Sequence, residues 1–132
     1  MTKFLGPKKV KTAVFISGKG SNLNSLIKFS LTKKSPITIQ TVISNKSDAK
    51  GIEFAKKYRI NVKIFKFNRK DDQKILNFLN KNQIELICLA GFMRILSKKF
   101  IQKFGGEIMN IHPSLLPKYK GLNTHERVIH NK

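Results

Sequence analysis

Apolar runs and helix-period stretches alternate along this chain. KTAVFISG, ITIQTVISN, NVKIFKF, IELICLAG and GEIMNIH read as strands, each a short run rich in Val and Ile. Between them stand NLNSLIKF, AKGIEFAKKY, DDQKILNFLNKN and SKKFIQKF, which read as helices. In the third of these, Ile75, Leu76 and Leu79 recur at helical spacing, while Lys74, Asn77 and Lys81 fall on the opposite, wet side. Strands that are apolar nearly throughout suit a parallel sheet covered on both faces. The strand–helix rhythm therefore predicts an α/β fold, an open, mostly parallel doubly wound (Rossmann-like) sheet. Domain organisation follows the same pattern, with a basic N-terminal tail over 1–10 and one domain over 11–132. No internal repeat or low-complexity segment interrupts it.

Composition narrows the class. The 132 residues, 40% of them hydrophobic, suffice for one core. No apolar run approaches the roughly 20 residues of a membrane span, and the basic start MTKFLGPKKVK lacks the apolar stretch of a secretory signal. A membrane partner is not expected. The lone Cys88, inside ELICLAG, has no second Cys to bridge, so it reads as a core residue in a reducing, cytoplasmic setting. Lys and Arg number 27 against 7 Asp and Glu, for a formal charge of +20. Such a charge attracts polyanions. The lysines are nevertheless scattered through every segment, and no strand alternates them with aromatic residues as a base-stacking surface would. Small anionic substrates fit the charge better than nucleic acid does.

In a doubly wound sheet, ligands bind beyond the carboxyl ends of the strands. The Gly-rich and polar stretches of this chain fall at those ends: SGKGSN, FNRKD, AGFMRIL and NIHPS. In the first, Gly18 and Gly20 permit a tight turn with exposed N–H groups, and Ser21 and Asn22 open and cap the next helix. That is a phosphate cradle, or else a plain strand-to-helix turn. Leu23 stands where a dinucleotide fingerprint would need its third glycine, and no P-loop Lys follows. Asn110 and His112 lie two apart on an expected strand and so share a face. An Asn amide can donate to a developing oxyanion, and a His can carry a proton near neutrality. Arg94, a charge among apolar neighbours in GFMRIL, either meets an anion or reaches solvent. His125 and His130 have no partner ligands at metal spacing, so no metal is expected.

Taken jointly, SGKGSNL, ISNKSDAKG, LAGFMRILS and NIHPSLLPKYKGLNTH, in this order, closely resemble the phosphoribosylglycinamide formyltransferases, folate-dependent enzymes of purine biosynthesis. The likeness runs from Lys11 to Lys132. HPSLLP alone is shared with methionyl-tRNA formyltransferase and other users of formyltetrahydrofolate, whereas GSN and LNTH favour the glycinamide enzyme. The resemblance implies the formyltransferase fold, cytoplasmic location and two small-molecule substrates, phosphoribosylglycinamide and 10-formyltetrahydrofolate, without a metal. It implies that Gly20, Ser21 and Asn22 hold the substrate phosphate, and that Met93, Arg94, Ile95 and Leu96 line the folate pocket. Arg69 matches the family's basic residue near the cofactor, with Lys70 the alternative one position on. Asn110 would bind the formyl group and His112 would be the general acid.

The family's essential Asp, tens of residues beyond the His, has no counterpart in this sequence, because Asp48, Asp71 and Asp72 all precede the catalytic strand. The expectation is thus a formyltransferase domain truncated at its C-terminus. Its alternatives are a fragment that keeps only the nucleotide-sugar phosphate site, or another formyltetrahydrofolate-using enzyme such as methionyl-tRNA formyltransferase. A second copy of the chain or a complementing C-terminal fragment are the macromolecular partners this leaves open.

Overall fold

The five apolar runs become five parallel strands in the computed structural model, which describes residues 8–111. The strands are β1 (Val10–Ile16), β2 (Ile37–Ser44), β3 (Asn61–Ile64), β4 (Leu86–Leu89) and β5 (Glu107–Asn110). Between them run α1 (Ser21–Ser30), α2 (Gly51–Lys57), α3 (Asp72–Lys81) and α4 (Lys98–Phe104), with a 3-10 turn over Arg69–Asp71 leading into α3. The strand order is β3-β2-β1-β4-β5, the doubly wound arrangement that the alternation predicts.

Pleating sorts the side chains of β1 to two cores. Val14 and Ile16 join Leu23, Leu26 and Ile27 of α1 and Ile52 and Ala55 of α2 on one face. Ala13 and Phe15 join Ile75, Leu76 and Leu79 of α3 and Phe100 of α4 on the other. All four β1 residues are fully buried, as is expected of a central strand covered on both sides. Cys88, also fully buried, belongs to the first core, and burial pushes its thiol from 9.0 up to about 12.

Local chemistry sets the helix ends. Ser97 caps α4, its Oγ accepting from the Phe100 N–H at 3.0 Å, and Gly105 closes that helix at φ 76°. The same Ser97 hydroxyl donates to Asp72 Oδ2 at 2.8 Å and so ties α4 to the start of α3. The start of α1 differs from the expectation that Ser21 and Asn22 cap it. Gly20 is the cap residue, at φ 83°, and among the described residues no side chain caps the helix. The physical reason is that Ser21 and Asn22 are already helical, and the Asn22 amide is engaged elsewhere, donating to the Ile111 carbonyl at 3.3 Å.

Candidate functional site

Strand order reverses its direction of growth at β1, because β2 and β3 extend from one side of it and β4 and β5 from the other. Chains leaving β1 and β4 therefore diverge to opposite faces and open a crevice above their carboxyl ends. A cleft of about 340 Å³ lies there. Its walls are the loop from Ser17 to Gly20, the first residues of α1, Lys46 from the β2–α2 loop, and Ala90, Gly91 and Met93 beyond β4.

Two glycines shape the first wall. A Cβ on Gly20 would stand 2.3 Å from the Gly51 Cα, so α1 and α2 start in direct backbone contact. The Gly51 N–H donates to the Gly18 carbonyl at 2.9 Å and holds the loop down. With no capping side chain among the described residues and no acidic residue in its first turn, α1 presents its free N–H groups to the cleft. These donors, together with the positive end of the helix dipole, are the kind of group that could hold an anion. Lys19 and Lys46 add positive charge at the rim.

The second wall is the segment after β4. Met93 and Ile95 are 77% and 96% exposed, a costly state for large apolar groups and one that a flat apolar ligand would relieve. The Met93 N–H donates to Ser17 Oγ at 2.8 Å, across the cleft. Arg94 Nη2 donates to the Phe67 carbonyl at 3.3 Å. Phe67 holds φ 64°, uncommon for a residue with a bulky side chain, and its ring packs at 5.3 Å from Phe15 and 4.9 Å from Phe92. This aromatic cluster supports the Arg94 segment from below.

The sequence-predicted residues thus fall into groups. Gly20, Ser21, Asn22 and Met93 meet in the cleft. Asn110 ends β5, opposite Leu89 of β4, and the Asn22 bond to the next residue, Ile111, brings the start of α1 to this strand end. Arg94 and Ile95 share the Met93 segment but do not line the cleft. Leu96 is buried in the second core with Phe100, so its side chain serves packing. Arg69 lines a different groove, of about 400 Å³, between α3 and α4. His112, with Pro113, His125 and His130, lies outside the described residues. Among the described residues no cluster of three His, Cys, Asp or Glu could hold a metal, and no helix is long and apolar enough to cross a membrane.

Sequence reading missed Ser17, Lys19 and Lys46. Ser17 and Lys19 sit within the quoted glycine loop and Lys46 within ISNKSD, yet no local spacing signals that three separate loops converge.

Comparison with known proteins gives this geometry a context. The family model described as "Formyl transferase" matches residues 10–131. The chain is 47% identical over 124 residues to the phosphoribosylglycinamide formyltransferase of Haemophilus influenzae, covering 90% of this chain and 58% of that protein. It is 45% identical over 127 residues to the human trifunctional purine biosynthetic protein adenosine-3, covering 92% of this chain and 13% of that protein. Among solved structures, phosphoribosylglycinamide formyltransferase from Brucella melitensis aligns with a TM-score of 0.72 at 40% identity, over 94% of this chain and 67% of that one. The chain spans a little over half the length of the Haemophilus relative. With the family model matching nearly its whole length and the crevice at the same strand ends that its sequence marks, the chain belongs to the formyl transferase family.

Proposed function

We propose that this chain carries the phosphate-binding and formyl-transfer half of a cytoplasmic phosphoribosylglycinamide formyltransferase, using 10-formyltetrahydrofolate as donor. The observation that carries this reading is the uncapped start of α1, open on the cleft and facing the exposed Met93 segment. A phosphate on Gly20, Ser21 and Asn22 would leave the glycinamide amine free to extend toward the ends of β4 and β5. The Met93–Ile95 segment would take the folate, with Arg94 as the cation for its polar parts and Leu96 fixing the segment from the core, and Arg69 would meet only a part of the ligand that extends to the α3–α4 groove.

The chemistry is direct transfer. The amine nitrogen attacks the formyl carbon, and charge collects on the formyl oxygen, where the Asn110 amide donates. The bond from that carbon to the folate nitrogen then breaks. A proton from His112 reaches the leaving nitrogen, and the proton that the attacking amine loses returns to the imidazole, restoring His112.

The test is formyl transfer from 10-formyltetrahydrofolate to phosphoribosylglycinamide, measured with this chain alone and with a separately expressed C-terminal piece of a full-length relative. Turnover in either form that His112→Ala abolishes, with phosphate-substrate affinity kept, is the expected result. A folded, paired chain with no turnover, or one that formylates methionyl-tRNA instead, overturns the assignment.

A further inference from the structure

Ser17 is 3% exposed, yet it lines the cleft. Its oxygen accepts from the Met93 N–H at 2.8 Å, and its own proton is committed to no acceptor among the described residues. A buried hydroxyl with an unspent donor at the edge of an anion site has one natural use, which is to donate to the ligand. When a hydroxyl donates to an anion its oxygen becomes a stronger acceptor, because the two bonds polarise each other. We infer that Ser17 is a positioning residue that couples the two walls: an anion on the glycine loop takes the Ser17 proton and thereby tightens the Met93 N–H bond, setting the 91–95 segment before a second ligand arrives. The inference rests on the reading of the cleft as an anion site.

The geometry favours a direct coupling over a general stiffening. Ser17 immediately precedes Gly18, whose carbonyl is held by the Gly51 N–H at 2.9 Å, so the wall on that side is fixed. On the other side Met93 is 77% exposed and has little packing of its own to hold it. Its backbone bond to Ser17 is therefore the contact most able to transmit occupancy of the cleft to the segment beyond β4.

The experiment is an amide NMR titration of the full chain with inorganic phosphate, in the unaltered protein and in Ser17→Ala. In the unaltered protein the Gly20 and Ser21 amides should shift, and the Met93 amide should move downfield with the same midpoint. In Ser17→Ala the Gly20 and Ser21 shifts should persist at a severalfold higher phosphate midpoint, since one donor to the anion is lost, while the Met93 response disappears, and Met93 amide exchange in the free protein should quicken roughly fivefold, as loss of one ordinary hydrogen bond implies. A Met93 amide that ignores phosphate in the unaltered protein, or follows it equally in Ser17→Ala, overturns the coupling while leaving the anion site intact. Silence at Gly20 and Ser21 overturns the anion site and the coupling with it. Should Ser17→Ala fail to fold, Met93 exchange in the unaltered chain decides the matter, slowing with phosphate if the coupling holds and staying constant if it does not.

Discussion

Replacing single glycines by Ala separates two physical demands that the cleft wall makes on its backbone. Gly20 bears both. Its φ of 83° disfavours any L side chain by about 1–2 kcal/mol, and its Cβ would lie 2.3 Å from the Gly51 Cα and 3.2 Å from the Gly51 N. Those atoms are backbone at the start of α2, so relief requires moving a helix, with an overpacking penalty of about 1–3 kcal/mol. Gly20→Ala should destabilise by roughly 4 kcal/mol in all, a large share of an ordinary domain's stability of about 5–15 kcal/mol. Gly51→Ala carries only the steric demand, with contacts of 2.9 Å to the Gly20 Cα and the Ile16 Cδ1, and should fall in the range of about 1–3 kcal/mol. Gly91→Ala carries only the conformational one, since φ is 71° with nothing within 4 Å, and should lose about 1 kcal/mol. Gly18 has neither, and Gly18→Ala should be neutral or stabilising by up to about 1 kcal/mol through the unfolded chain. Urea unfolding followed by circular dichroism, with equal slopes across the series, gives the ranking. A Gly20→Ala loss no greater than that of Gly91→Ala would refute the claim that α1 and α2 meet backbone to backbone.

Two further outcomes follow from buried and capping groups. Because the Cys88 thiol is held at about 12 in the folded chain against 9.0 unexposed to burial, the unfolded chain releases its proton first as pH rises. The associated stability is fully present below pH 9.0 and falls between 9.0 and about 12, by roughly 1.4 kcal/mol per pH unit. Urea midpoints of the unaltered protein should therefore drop more steeply over that window than those of Cys88→Ala, and parallel profiles would count against it. Ser97→Ala removes both the cap on the Phe100 N–H and the bond to Asp72, and should lower stability by about 1 kcal/mol in the same assay while Ser97→Thr restores most of it. No change in Ser97→Ala would mean that water replaces both bonds.

What the sequence disclosed divides along a physical line. Elements whose cause is local were legible: the Val- and Ile-rich strands, the Ile75–Leu76–Leu79 stripe of α3, and the Gly-rich and polar stretches at the strand ends all occur as the pattern implies. Chain-distant contacts were not. The choice of Gly20 as cap over Ser21 depends on Gly51, which must be glycine to let the two backbones meet, and nothing near Gly20 in the chain announces that. The resemblance implies a pocket role for Leu96 beside Met93 and Ile95, and no local pattern announces that the turn into α4 also packs its side chain in the core with Phe100. Arg69 stands in the polar stretch after β3, but the 3-10 turn directs it to the α3–α4 groove. Ser17 and Lys46 lie on loops after two different strands, and only the parallel pairing of β1 with β2 brings those loops to one cleft.

The bond from the Asn22 amide to the Ile111 carbonyl spans 89 residues. At about 5–20 residues per second of synthesis, the two partners leave the ribosome some 4–18 s apart. The β1–α1–β2 unit can collapse early from contacts near in sequence, but β1 then waits with one edge bare until β4 arrives. The cleft is thus a late product of the nascent chain. A substitution at Asn22 should leave the early unit untouched and act on the last step, when the far strand docks and the cleft acquires its second wall.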